Sequence, residues 1–314
     1  MKHATAVKTG APAAGHASGR PTALQRYSAT ASSSARVVIA RYSTSFSLAC
    51  RMLGRPAREH ISNIYALVRL ADEVVDGVAR EAGLDAPAVA AALQRLEEET
   101  EAALASGYST NMIVHAFACT ARSQGIDTAL TRPFFASMRS DLEVSTHDAT
   151  TLQGYIYGSA EVVGLMCLRV FRSMPHAPTG HEAETEAAAR RLGAAFQKVN
   201  FLRDLAEDTS SLGRSYFPGL DPAAFTDAHK NALVHEIRAD LDAAARGIPH
   251  LAPRAAQAVS MAHGLFSELN RRLEHTDAAE LMTRRISVPA RRKAYIALRT
   301  TMGRRPKSAT VNAA

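Results

Sequence analysis

Gln197-Lys198-Val199-Asn200-Phe201-Leu202-Arg203-Asp204-Leu205-Ala206-Glu207-Asp208 sets Asn200, Asp204 and Asp208 at i, i+4 and i+8. In a helix that spacing makes one stripe, and Gln197 extends it by a turn. Val199, Leu202 and Leu205 fall on other faces, where they can pack. A related pattern occurs earlier, in Ile64-Tyr65-Ala66-Leu67-Val68-Arg69-Leu70-Ala71-Asp72-Glu73-Val74-Val75-Asp76-Gly77. Asp72 and Asp76 share a helix face with ~6 Å of rise between them, and Arg69 and Tyr65 precede Asp72 on nearly the same face. Like charges at i, i+4 cost a helix ~0.2–0.5 kcal/mol, and acids near a helix C-terminus oppose its dipole. A lone pair of this kind reads as a solvated face balanced by Arg69 or Arg203. Two copies in apolar helices, each with an arginine beside it, point instead to a bound cation. Mg2+, with Mn2+ as an alternative, suits hard carboxylate oxygens and bridges them to phosphates.

Outward from these motifs, helical periodicity runs from near Arg36 almost to the end of the 314 residues. It predicts helices over 36–53, 58–79, 86–106, 111–124, 128–144, 151–173, 182–208, 228–246, 253–275 and 278–302, divided by Gly and Pro. No low-complexity linker interrupts the chain after residue 36. The expected fold is all-α: one domain over 36–303, an antiparallel helical bundle around a central cavity. Residues 1–35 contain no Asp or Glu and are rich in Ala, Ser and Gly. They are expected to be a disordered extension dispensable for catalysis, and 304–314 a disordered tail.

Composition narrows the function. Hydrophobic residues make up 46% and charged residues 21%, enough for a sizeable core. Three cysteines, Cys50, Cys119 and Cys167, with no CxxC pair, argue against a disulfide framework or a zinc site and suit a reducing cytoplasm. The net charge of +7 favours anionic partners. No nucleic-acid-binding signature accompanies it, so diphosphates and an anionic membrane surface are the expected ones. No apolar run approaches the ~18 residues of a spanning helix, and peripheral membrane contact of a cytoplasmic protein is expected. Basic clusters at Arg284-Arg285, Arg291-Arg292-Lys293 and Arg304-Arg305-Lys307 read either as solvated faces or as the groups that would make that contact.

Five ordered motifs resemble the phytoene and squalene synthase family of isoprenyl diphosphate synthases. Tyr42-Ser43-Thr44-Ser45-Phe46 looks like the family's opening motif, and Tyr65 to Asp76 matches its first aspartate-rich motif. Tyr155-Ile156-Tyr157-Gly158-Ser159-Ala160-Glu161-Val162-Val163-Gly164 resembles its helix of tyrosine and small residues. Gln197 to Asp208 and Gly213-Arg214-Ser215-Tyr216-Phe217-Pro218 match the most diagnostic stretch. The likeness is strongest to bacterial, especially actinobacterial, carotenoid-pathway members. Two departures stand out. Glu73 replaces a frequent second Asp, and Glu161 puts an acid on a wall that is usually uncharged.

The resemblance implies an isoprenoid-synthase-type bundle and a prenyltransferase that condenses two geranylgeranyl diphosphates head to head, through prephytoene diphosphate, to phytoene. It implies Mg2+ held by Asp72, Asp76, Asn200, Asp204 and Asp208, with no NADPH required. Tyr65 and Arg69 are expected to act beside the metal ligands. Arg69, Arg203, Arg214, Tyr216 and Arg285 are expected to hold diphosphate oxygens, and Ser43, Ser45, Phe46, Tyr157 and Gln197 to line the cavity. A squalene or dehydrosqualene synthase using farnesyl diphosphate is the nearest rival. A class I terpene cyclase spaces its second metal motif differently, and a non-catalytic assembly factor would tend to lose the aspartates kept here. Oligomeric state is not legible.

Overall fold

The computed structural model describes residues 20–144, 147–205 and 224–303. Asp208, Arg214, Tyr216, residues 1–19 of the expected N-terminal extension and the 304–314 tail lie outside the described residues. Among the described residues the regular structure is all helical, with no strand. No helix is long and apolar enough to cross a membrane.

The chain enters α1 (Ala23–Tyr42) through a capping box in which Thr22 and Gln25 satisfy each other's backbone N–H groups. Ser43 ends α1 and starts α2 (Thr44–Cys50). Its extended backbone (φ −140°, ψ 107°) breaks the helix, and its hydroxyl accepts from the Phe46 N–H at 3.1 Å. α3 (Arg55–Val75) closes on Asp76 and turns through Gly77, whose φ of 125° an L side chain would resist. Then come α4 (Val78–Glu81), α5 (Ala86–Ser106), α6 (Met112–Gln124), α7 (Thr128–Glu143) and α8 (Ala149–Ile156). A π turn, Tyr157–Glu161, leads directly into α9 (Val162–Arg172). α10 (Glu182–Arg203) carries Gln197 and Asn200 and is capped by Asp204, so the helix predicted over 182–208 closes at the second acidic motif instead of running through it. α11 (Asp227–Ala245), a 3-10 turn (Ile248–His250), α12 (Pro253–Glu274), α13 (Ala278–Leu281) and α14 (Ala290–Thr301) complete the fold.

The disordered extension expected over 1–35 is corrected at its C-terminal end, because α1 begins at Ala23. Its small residues Ala31 and Ala35 pack on Ala66 of α3 and Ala116 of α6. Tyr27 donates to the carbonyls of Ser109 and Thr110 at 3.0 Å, and Ser28 meets His115 at 2.9 Å. Several predicted helices are also broken. The 58–79 helix stops at Val75 and resumes beyond Gly77, and the 151–173 helix widens into the π turn. The 36–53 helix splits at Ser43. The 278–302 helix is interrupted before Pro289, since a residue preceding proline avoids the helical region.

Two large apolar clusters form most of the interior among the described residues. One gathers Leu67 of α3, Leu93 of α5, Phe117 of α6, Phe134 and Phe135 of α7 and Met166 of α9. The other gathers Ala195 and Leu202 of α10, Ile237 of α11, Leu273 of α12 and Leu281 of α13. Phe46 packs against both. Of the basic clusters, Arg292 on α14 is a structural group: it pairs with the buried Glu268 at 3.2 Å and its guanidinium lies 5.0 Å from the Tyr295 ring centroid.

Candidate active site

Two ties set α3 and α10 in register. Phe46 stands between them, its ring 6.1 Å from that of Tyr65 on α3 and 5.7 Å from that of Phe196 on α10. Further along both helices, Asp72 feels the charge of Asp141 at the end of α7. Asp141 accepts from the Tyr155 hydroxyl at 2.9 Å, and the Tyr155 ring lies 5.9 Å from that of Phe201 on α10. From the first tie to the second, both helices advance toward their C-termini. They therefore run in the same sense and bring Asp76 and Asp204, their respective C-caps, to one end of the molecule.

That end concentrates negative charge where helix dipoles already place it. Burial, and then Asp76, hold the Asp72 carboxyl far above the usual range, at about 8, against the lowering pull of Arg69; Asp141 and Glu73 add to the rise. A carboxylate that resists ionisation beside three other acids is one whose ionised form a divalent cation would favour. Asp72, Asp76 and Asp141 could offer oxygen donors of the hard class that Mg2+ takes.

Arginines flank the acids. Arg69 reaches Glu73 one turn on, and its guanidinium lies 4.6 Å from the Tyr42 ring centroid. Its Nε is buried and has no hydrogen-bond partner among the described residues. Such a donor wants an anion, since an unmade buried bond costs ~1–3 kcal/mol. On α10, Arg203 forks onto the adjacent Asp204, with Nε 2.8 Å from one oxygen. Arg285, from the loop after α13, meets the same carboxylate at 2.8 Å. The Arg285 side chain is 60% exposed, so this pair contributes at most ~1 kcal/mol and exchanges readily for another anion.

The apolar side of the site carries other expected residues. Tyr65 neighbours Ser43, and burial pushes its phenol up to about 12 although Arg69 opposes the shift. Phe46 joins an aromatic group in which Phe196 and Phe266 stack at 3.8 Å. Ser45, Gln197 and Asn200 are half-buried and make no side-chain hydrogen bond among the described residues. Tyr157 opens the π turn, with the Arg190 guanidinium 5.2 Å from its ring centroid. Glu161 at the other end of the turn receives the Arg190 Nε at 2.6 Å, so this unusual acid is balanced on the spot. The turn is wedged tightly. A Cβ on Gly158 would lie 2.2 Å from the Pro133 carbonyl and the Ser137 hydroxyl, and one on Gly193 2.5 Å from the Ala160 carbonyl.

Asp141, Tyr155 and Phe196 were not among the residues singled out from the sequence. Tyr155 sat within a quoted motif, but nothing in local spacing pairs it with Asp141. Asp208, Arg214 and Tyr216 lie outside the described residues.

The squalene/phytoene synthase family profile matches residues 39–292. The phytoene synthase of Mycobacterium tuberculosis is 28% identical over 268 residues, which cover 79% of this chain and 82% of that one. Phytoene synthase 1 of Solanum lycopersicum is 33% identical over 182 residues, covering 58% of this chain and 42% of that one. Among solved structures, a dehydrosqualene synthase in complex with ligand aligns with a TM-score of 0.71 at 21% identity, covering 89% of this chain and 98% of that one. Squalene synthase HpnC from Alicyclobacillus acidocaldarius gives 0.66 at 21% identity, covering 80% and 96%. These two likenesses bear on the helical fold alone. The profile match spans both acidic motifs as far as Arg292, and the chain belongs to the squalene/phytoene synthase family of prenyltransferase-type enzymes.

Proposed function

We propose that the protein is a phytoene synthase, joining two geranylgeranyl diphosphates head to head through prephytoene diphosphate to phytoene in carotenoid biosynthesis. The observation that carries this reading is the placement of two acidic helix ends, at Asp72/Asp76 and Asp204, at one end of the molecule, with Arg69, Arg203 and Arg285 beside them. Relatives named phytoene synthase, at 28% and 33% identity, support the choice of product.

On this reading Asp72, Asp76, Asn200 and Asp204 hold the metal, and Asp141 joins them as an acid that the motifs do not mark. A bound divalent cation would supply a Lewis acid that draws charge off the leaving diphosphate. Arg69 offers its unpartnered Nε to diphosphate oxygen, and Arg203 and Arg285 turn to it from Asp204. Tyr65 keeps its proton at any working pH and so can donate a hydrogen bond. Phe46 and Phe196 present ring faces that stabilise an allylic cation, and their apolar surroundings exclude water.

The test is product analysis. Purified protein with Mg2+ receives farnesyl or geranylgeranyl diphosphate, each with and without NADPH, and the hydrocarbon is identified by chromatography. The expected result is phytoene from the longer substrate, no stimulation by NADPH, and loss of turnover in EDTA restored by Mg2+. A squalene peak that grows with NADPH, together with poor use of the longer substrate, would overturn the product assignment. Full activity in EDTA would overturn the metal assignment.

A further inference from the structure

A second constellation of metal-ligating groups lies at the opposite end of α10. His181 caps the N-terminus of that helix, Glu184 stands in its first turn, and His250 closes the 3-10 turn between α11 and α12. The His181 Nδ1 lies 2.6 Å from a Glu184 carboxylate oxygen. The rings of His181 and His250 stack with centroids 3.8 Å apart and planes 21° from parallel. One ligand atom from each of the three residues falls within 4.8 Å of the other two.

The backbone under these groups is firmly seated. Thr185 donates its hydroxyl to the His181 carbonyl at 2.8 Å and receives Arg172 at 3.0 Å. Gly247, just before the 3-10 turn, sits so close to α10 that a Cβ there would lie 2.3 Å from that of Ala188. The two segments are thus held together independently of the histidines, and the three side chains, which are partly or fully exposed, retain rotational freedom.

We propose that His181, Glu184 and His250 bind a transition-metal ion of the zinc class, which clips the N-terminus of α10 to the 3-10 turn. The donor set decides the class of ion. Two imidazoles and one carboxylate suit Zn2+, Ni2+ or Cu2+, whereas Mg2+ prefers oxygen ligands alone. Three protein ligands leave a fourth position for water. Ligand bonds of about 2.0–2.1 Å require the three atoms to draw closer together, which turns the rings out of their stack. The metal takes the place of the direct contact between His181 Nδ1 and the Glu184 carboxylate. Glu184 carries the charge that offsets the positive end of the α10 dipole, which by itself disfavours a cation.

This site is separate from the acidic end. His181 and Asp204 are 23 residues apart along one helix (204 − 181), or ~34 Å at 1.5 Å per residue. The proposal therefore stands whatever the fate of the catalytic reading.

The full-length protein, stripped with chelator and returned to Mg2+ buffer, is titrated with Zn2+ by calorimetry and with Co2+ by visible absorption. One equivalent of Zn2+ is expected, with a rise in melting temperature. His250→Gln, which keeps polar bulk at the turn, and His181→Gln should each weaken that binding by at least ~tenfold and abolish the thermal shift. Asp72→Asn should leave both intact. Absence of Zn2+ binding in the wild type, or binding and thermal shift unchanged in both histidine variants, would overturn the proposal. Far-UV dichroism of each variant guards against loss of fold as the cause.

Discussion

Asp72 stands where three influences meet: it is half-buried, it lies in the last turn of α3, and Asp76 and Asp141 crowd it. Replacing it with Asn relieves all three, so Asp72→Asn should fold at least as well as the wild type. The same change removes a charged ligand, and the loss of strong electrostatic stabilisation costs ~3 kcal/mol, or ~10²-fold in rate. Asp204→Asn should lose rate similarly while releasing Arg203 and Arg285 from their shared partner. Turnover and melting temperature, measured on both variants, check the pair of expectations. A variant that loses stability and keeps its rate would make these acids structural. The acidic pattern was legible because repetition at i, i+4 is costly in a helix and needs a reason. Asp141 was not legible. It stands alone in Ser140-Asp141-Leu142, and only the packing of α7 against α3 brings it to Asp72.

At the scale of elements, most helices were readable from apolar spacing punctuated by Gly and Pro. The exception of most consequence is α1. Up to residue 35 its buried residues are Ala31, Ser32 and Ala35, which carry little hydrophobic signal, so that part reads as polar and loose; the apolar Ile39 follows a turn later. What holds it is close approach: Ala31 and Ala35 lie against Ala66 and Ala116, while Asn63 donates to Ser32 at 3.3 Å and to Thr120 at 3.0 Å. Small side chains let helix axes come near each other. Removing residues 1–35 would uncover the methyls of Ala66 and Ala116 and discard those of Ala31 and Ala35. At ~0.8 kcal/mol per buried carbon, these four amount to an upper value of about 3 kcal/mol. The truncated chain should therefore melt lower than the full one, by several degrees for a domain of this size. An unchanged melting temperature would restore the reading of 1–35 as a dispensable extension. The π turn at Tyr157–Glu161 was equally hidden, because a wide turn leaves no periodic mark and owes its place to Gly158 and Gly193 fitting against neighbouring backbone.

At the scale of the whole molecule, two apolar clusters lie on either side of Phe46, and buried histidines tie the layers around them. His263 of α12 is the clearest case. Its Nε2–H donates to the Leu241 carbonyl of α11 at 3.0 Å, and Ser267 lies 3.4 Å from its Nδ1. Burial holds its imidazole below the ordinary value of 6.5, even though the Leu241 carbonyl and Asp242 pull the other way. His60, His115 and His147 are shifted in the same direction, also by burial. The sign follows from which state takes up the proton. Below pH ~6.5 the unfolded chain protonates its histidines while the folded one still excludes the charge. The stability these groups contribute is complete above that pH and falls as the pH drops through the folded values, at up to ~1.4 kcal/mol per pH unit for each histidine. Comparing variants isolates one group from the opposite trend of Asp72. His263→Gln keeps a donor for Leu241 but cannot titrate. Melting temperatures of wild type and variant, taken from pH 7.5 down to about pH 5, should show the wild type's advantage shrinking with acidification. A difference that stays constant across that range would mean that His263 contributes shape alone, and that proton uptake between α11 and α12 has no part in the acid sensitivity of the fold.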